Sequence, residues 1–145
     1  MTKVTQKSKI IYGLKARTTN EKEMNPETAK IGALWSDYIE NILPTLPEAT
    51  QGNGVYANYE SDAFGEFDVF AGSEVVNDTL EKVTLEEGNY LCFKTNGELP
   101  QAVIDTWGEI WAYFSDLNCK EVRTYKTDYE LYLSESEAEI YIGVE

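Results

Sequence analysis

Thr127-Asp128-Tyr129-Glu130-Leu131-Tyr132, followed after a short polar turn by Ala138-Glu139-Ile140-Tyr141-Ile142-Gly143-Val144, decides the fold. Both segments carry β-branched and aromatic residues at a period of two, the pattern of adjacent strands. In the second, Ala138, Ile140, Ile142 and Val144 share one face. In the first, alternation puts Glu130 with Asp128 and Tyr132, while Tyr129 and Leu131 point the other way. The same pair of segments occurs earlier in the chain. Tyr59-Glu60-Ser61 lines up with Tyr132-Leu133-Ser134, and Glu66-Phe67-Asp68-Val69 with Glu139-Ile140-Tyr141-Ile142, at equal spacing.

Working outward, each pair of strands is preceded by a strand and a helix. Lys9 to Arg17 is a predicted strand. Asn25-Pro26-Glu27 reads as a helix start, with Asn capping and Pro at the first position. Ile31, Leu34, Trp35, Tyr38, Ile39 and Ile42 then recur at helical spacing. Val55 to Glu60 and Glu66 to Ala71 are the following strands, and Phe67, Val69 and Ala71 share a face. In the second half, Val83 to Lys94 is a strand with a break near Gly88. Asn96-Gly97-Glu98-Leu99-Pro100 leads into a helix with Val103, Trp107, Ile110, Trp111 and Phe114 on its apolar face. Glu121 to Leu133 and Ala138 to Val144 complete it. The helices also align, Ile31-Gly32-Ala33-Leu34-Trp35 with Trp107-Gly108-Glu109-Ile110-Trp111. The expected fold is α+β: a duplicated β-α-β-β unit (residues 9–76 and 82–145), forming an antiparallel sheet with two helices and pseudo-twofold symmetry. Neither half covers its own sheet face, so residues 1–145 are expected to pack as one domain. Gly32 and Gly108, mid-helix, are expected to allow close packing of helix on sheet or on a ligand.

Composition narrows the chemistry. The 145 residues hold no histidine, which removes the commonest general base and zinc ligand. Cys92 and Cys119 form no CxxC pattern and read as reduced thiols. No metal site and no cofactor are expected. The net charge of −14 repels phosphate backbones, so direct nucleic-acid binding is not expected. No apolar run of membrane-spanning length and no secretory leader is visible, and the expected location is cytoplasmic.

A duplicated unit shows its function where its copies differ. Counting back from the matched tyrosines, Ala57 of the first copy corresponds to Glu130 of the second. Glu130 is either a solvated strand carboxylate or an acid set among aromatic rings in a groove along the pseudo-symmetry axis. Burial there would cost several kcal/mol unless a cation or donors compensate. Trp107 and Trp111, one turn apart, fit core anchors by their position on the apolar stripe.

The duplicated unit, the Trp-bearing helices and the closing run from Thr127 to Val144 resemble the GyrI-like, or AraC-type, effector-binding domain family from about Lys9 to Glu145. The resemblance implies a small-molecule-binding module. In the multidrug-sensing members a glutamate of the penultimate strand pairs with lipophilic cations inside an aromatic pocket, and Glu130 stands at that place. Trp107, Trp111, Tyr90, Tyr59 and Tyr132 are the accompanying pocket residues by proximity and type. The chain is similar to stand-alone members, some carried on mobile gene cassettes, because only about eight residues precede the first predicted strand and no helix-turn-helix fits. The implied partners are amphipathic cationic small molecules, with a homodimer or a separate DNA-binding partner as further options. The family also implies two alternatives. One is a hydrolase of electrophilic small molecules, with Glu130 as general base and a tyrosine as proton donor. The other is an acidic protein-interaction module of the gyrase-inhibitor kind.

Overall fold

The computed structural model describes residues 1–145. Its strands are β1 (Thr2–Gln6), β2 (Lys9–Thr18), β3 (Gly52–Ala57), β4 (Phe67–Ser73), β5 (Glu81–Leu85), β6 (Gly88–Lys94), β7 (Arg123–Tyr132) and β8 (Ala138–Val144). They form one antiparallel sheet in the order β1-β6-β8-β7-β3-β4-β2-β5. Three helices accompany it: α1 (Asn20–Glu23), α2 (Ile31–Asp37) and α3 (Gln101–Ser115). Thus α2 runs on through a π-helical turn (Tyr38–Ile42) and a 3-10 turn (Leu43–Thr45). The expected α+β fold is what forms. No helix is long and apolar enough to cross a membrane.

The strand order is palindromic in the two halves. β3 and β7 meet at the centre, β4 and β8 flank them, and β2 and β6 come next. The outermost positions correct the predicted unit. Residues 2–6 form a strand that pairs with β6 of the other half, and β5 pairs with β2. Each half is therefore β-β-α-β-β, with its first strand lent to the other. The break near Gly88 is this exchange point: β5 and β6 lie in different parts of the sheet, joined by Glu86 and Glu87 alone. Lys7-Ser8 is the counterpart between β1 and β2. A short, mixed-charge segment such as Thr2–Gln6 has too little apolar periodicity to announce a strand.

One sheet face carries the helices. Beneath α3, Leu91, Phe93, Ile140 and Ile142 pack with Val103 and Ile110. Beneath α2, Phe67, Val69 and Ala71 pack with Leu34 and Tyr38. The other face closes on itself, with Ile11, Val55, Phe70, Val83, Leu85, Tyr90 and Tyr129 in one cluster contributed by both ends of the sheet. Tyr129 and Tyr141 stack there with centroids 4.6 Å apart.

Local chemistry explains two boundary shifts. The first long helix starts at Ile31, not at Asn25. Thr19 Oγ1 accepts from the Lys22 amide and caps α1, while Asn25 Oδ1 accepts from the Glu27 amide in a side-chain turn. The donors at the start of α2 go instead to the Glu23 carboxylate, which accepts from the Lys30 and Ile31 amides at 2.9 and 3.0 Å. The strand predicted over 55–60 ends at Ala57, because Asn58 turns into the left-handed region at φ 52°.

Neither Gly32, the second residue of α2, nor Gly108 serves close packing of helix on sheet: a Cβ on either would meet nothing within 4 Å. The close approach lies between β2 and β4, where a Cβ on Gly72 would stand 2.2 Å from the Tyr12 carbonyl oxygen. Accordingly, Gly108→Ala should stabilise the protein by up to about 1 kcal/mol through helix propensity. Gly72→Ala should cost about 1–3 kcal/mol or more by forcing the strands apart. Urea unfolding of both variants checks this; equal effects of the two would contradict the packing described.

Candidate functional site

The two helices leave the middle of their sheet face uncovered. α2 touches β2 and β4, and α3 touches β6 and β8. Above the central strands β3 and β7 lies a cleft of about 1320 Å³ between them. That is generous for a site holding one small molecule.

Glu130 lies at its base, 2% exposed. In the ladder it stands opposite Gly54. A Cβ on Gly54 would come within 2.7 Å of Glu130 Oε1 and 3.1 Å of the Trp35 ring, so glycine makes room for both. Three neutral donors from three elements converge on the carboxylate. Tyr56 of β3 donates its hydroxyl to Oε2 at 2.7 Å, and Trp107 of α3 donates its indole N–H to the same oxygen at 2.7 Å. Tyr132, two residues along β7, donates to Oε1 at 2.8 Å. No lysine or arginine forms an ion pair with Glu130.

The electrostatics follow from that set. Burial pushes the Glu130 pKa up, and the bonds from Tyr56, Trp107 and Tyr132 pull it back only in part. The hydroxyls of Tyr56 and Tyr132 are pushed far up, first by burial and then by the neighbouring carboxylate, so both stay protonated as donors. The rings interlock edge to face: Tyr56 with Trp107 and Trp35 with Tyr132, each at 5.2 Å between centroids.

The expected residues divide as follows. Glu130, Trp107, Trp111, Tyr59 and Tyr132 all border the cleft. Trp111 is at its rim, 42% exposed, with its ring 6.3 Å from that of Trp107. Tyr59 addresses a different acid, donating to Asp128 Oδ2 at 2.5 Å. Tyr90 is a correction. It sits in the cluster on the opposite face, and its hydroxyl bonds to the Glu86 carbonyl and Thr127, because strand alternation on β6 turns it away from α3. The match of Ala57 to Glu130 also shifts. Ala57 pairs with Asp68, and Tyr129 pairs with Tyr141. Since Asp68 and Tyr141 align, the true counterpart of Ala57 is Tyr129, and both face the closed side.

Sequence reasoning missed four cleft or near-cleft residues: Trp35, Tyr56, Arg123 and Asp128. Trp35 carried a usable signal, since it aligns with Trp111. Asp128 was placed on the Glu130 face but given no role. It is wholly buried, accepting from the Gly143 amide, Tyr59 and Arg123.

Residues 4–144 match the model of one family, the integron-associated effector binding proteins (Cass2). The chain belongs to this family. The match is narrower than the GyrI-like resemblance that the sequence carries; what extends to that wider group is the fold. The integron cassette protein from the mobile metagenome of Vibrio cholerae is 41% identical, with a TM-score of 0.92 over 99% of this chain and 95% of that one. A Staphylococcus aureus protein described as a putative bacterial transcription regulation protein shares the fold at 17% identity, with a TM-score of 0.78 and coverage of 99% and 97%. The protein SAV2435, solved bound to tetraphenylphosphonium, is 19% identical, with a TM-score of 0.75 over 99% and 93%. No curated protein matches the chain.

The raised pKa of Glu130 has a signed consequence for this family member. The folded protein holds that proton more tightly than the unfolded chain does. Its contribution to stability is full below the ordinary glutamate pKa of about 4.3 and is lost as pH rises through the raised value. The stability of Glu130→Gln relative to wild type should therefore improve across that window. Urea titrations from pH 4 to 8 read the difference; one that stays constant with pH would contradict the raised value.

Proposed function

We propose that this chain binds lipophilic organic cations in the cleft, with Glu130 as counter-charge and the surrounding rings as walls. The observation that carries the reading is the Glu130 carboxylate itself. It is 2% exposed, is held by neutral donors alone, and has no cation of the protein beside it. A buried carboxylate without a cation is costly. A cationic ligand would relieve that cost when it binds and gain attraction to the ring faces, about 0.5–2 kcal/mol for each well-placed ring. The cleft is also bordered by Ile39, Leu43 and Ile104, apolar residues suited to a greasy ligand body. The net charge of −14 adds long-range attraction for cations. The family is described as effector binding, and SAV2435, which shares the fold, was solved with tetraphenylphosphonium. On this reading residues 1–145 form one effector-binding domain. The second reading is a hydrolase with Glu130 as general base: the three donors leave one lone-pair site free on Oε1, and burial raises the Glu130 pKa.

Titration with tetraphenylphosphonium, followed by tryptophan fluorescence, should give roughly micromolar affinity, about −8 kcal/mol. Glu130→Gln should weaken it tenfold or more, whereas Tyr90→Phe, on the far face, should leave it within twofold. Affinity should also rise with pH through the Glu130 range, because the cation needs the ionised carboxylate and expels its proton. Equal binding by wild type and Glu130→Gln would remove Glu130 as counter-charge.

A further inference from the structure

A second polar centre borders the same cleft, and the chain goes out of its way to build it. Arg123 and Asp128 are both on β7 and five residues apart, so strict alternation would place them on opposite faces. They meet nonetheless, with Arg123 Nη2 donating to Asp128 Oδ2 at 2.7 Å. A bulge brings this about. Arg123 pairs with Val144 and Asp128 with Ile142, so five steps on β7 oppose two on β8, and Tyr125 turns into the left-handed region at φ 53°. Such irregularities re-aim side chains and are frequent beside functional sites, and a left-handed tyrosine is a strained residue.

The bulge leaves Arg123 only partly used. The Arg123 side chain is 7% exposed and borders the cleft. It lies between rings, with its guanidinium carbon 4.4 Å from the centroid of Tyr125 and 5.8 Å from that of Phe114. Of its five N–H donors, only one on Nη2 meets an acceptor in the protein; Nε is buried without a partner, and no group accepts from Nη1. Unpartnered donors on a buried charged group are rare and costly. Asp128 already neutralises the charge of Arg123, so the net field here does not call for an anion. What remains for a ligand is the free N–H groups of Nη1 and Nη2, held in place by the bond to Asp128, while the buried Nε is closed to it.

We infer that the cleft has two poles and selects a subclass of cations: those that carry a neutral carbonyl acceptor, such as an ester or amide, on an arm reaching Arg123. The inference rests on the reading of Glu130 as counter-charge and adds a separate determinant to it. Asp128 and Glu130 are two residues apart on one strand, so the acid pole and the Arg123–Asp128 pole are separated by about 7 Å. An arm of three to five bonds between the cationic centre and the carbonyl spans that distance. Tyr59, bonded to Asp128 and bordering the cleft, holds the second pole in place.

The test uses two triphenylphosphonium probes of equal arm length, one ending in a methyl ester and the other in an alkyl group. Wild type should bind the ester about tenfold more tightly, the gain expected of a hydrogen bond to a charged donor. The double variant Arg123→Met with Asp128→Asn removes both charges together, avoiding an orphaned buried acid. Its ester-to-alkyl ratio should fall to about one, whatever happens to absolute affinity. Glu130→Gln should weaken both probes and keep the ratio. An infrared measurement on wild type, with a carbon-13 ester carbonyl, should show a shift to lower frequency on binding and needs no variant to fold. No preference for the ester in wild type, an unshifted carbonyl, or a preference that persists in the double variant overturns the inference. Failure of both probes to bind, or indifference of both to Glu130→Gln, overturns instead the underlying reading of the cleft.

Discussion

The site depends on one constraint: a carboxylate has been taken out of water without a positive partner. Everything around Glu130 answers to that. Hydrogen-bond donors were needed that bring no charge, and the chain supplies two phenols and an indole. Each comes from a different place, β3, β7 and α3, so the bonds form only if the sheet register and the helix position are both correct. Gly54 belongs to the same constraint, since a side chain there would displace the carboxylate it faces. Three charge-assisted bonds, about 1.5–3 kcal/mol each net, reduce the cost of burial without cancelling it. The pKa of Glu130 records the residue of that cost.

The duplication makes such a place available. Each helix lies over the outer strands of its own half, and only side chains such as Trp35 and Trp107 reach the two strands that meet at the centre. A sheet built from two such units therefore has an uncovered strip along its middle. Exchange of the first strands locks the units together, since β1 completes the edge of one half and β5 that of the other. The closed face then carries the aliphatic and tyrosine core, leaving the central strip free to bear polar groups that a continuous core would not tolerate.

Much of this was legible before any coordinates. Strand alternation put Glu130, Asp128 and Tyr132 on one face, whereas Trp107, a core anchor by its helical stripe, joined them only through the family resemblance. The failures share a cause, which is that they depend on register and not on pattern. Tyr90 is as aromatic as Tyr56, and only its place in the alternation of β6 sends it to the other face. The Ala57 alignment slipped by one residue because Asn58 leaves the strand in a left-handed turn that no spacing reveals. Thr2–Gln6 gains its strand from pairing with β6, a tertiary effect with no local signature.

The two buried acids of β7 show why burial alone does not identify a binding residue. Asp128 is the more buried, yet its needs are met within the protein: a guanidinium, a phenol and a backbone amide leave it little to gain from a ligand. Glu130 has as many donors but no cation, and its imbalance is of charge, not of hydrogen bonds. Neutral donors can satisfy lone pairs while leaving the field of a full negative charge in a low-dielectric cleft, where it acts over a longer range than in water. On the proposed reading, a cationic guest would meet that field without having to break the bonds that orient the carboxylate. A lysine at the same place would have neutralised it permanently, making the protein more self-sufficient and the cleft indifferent to charge.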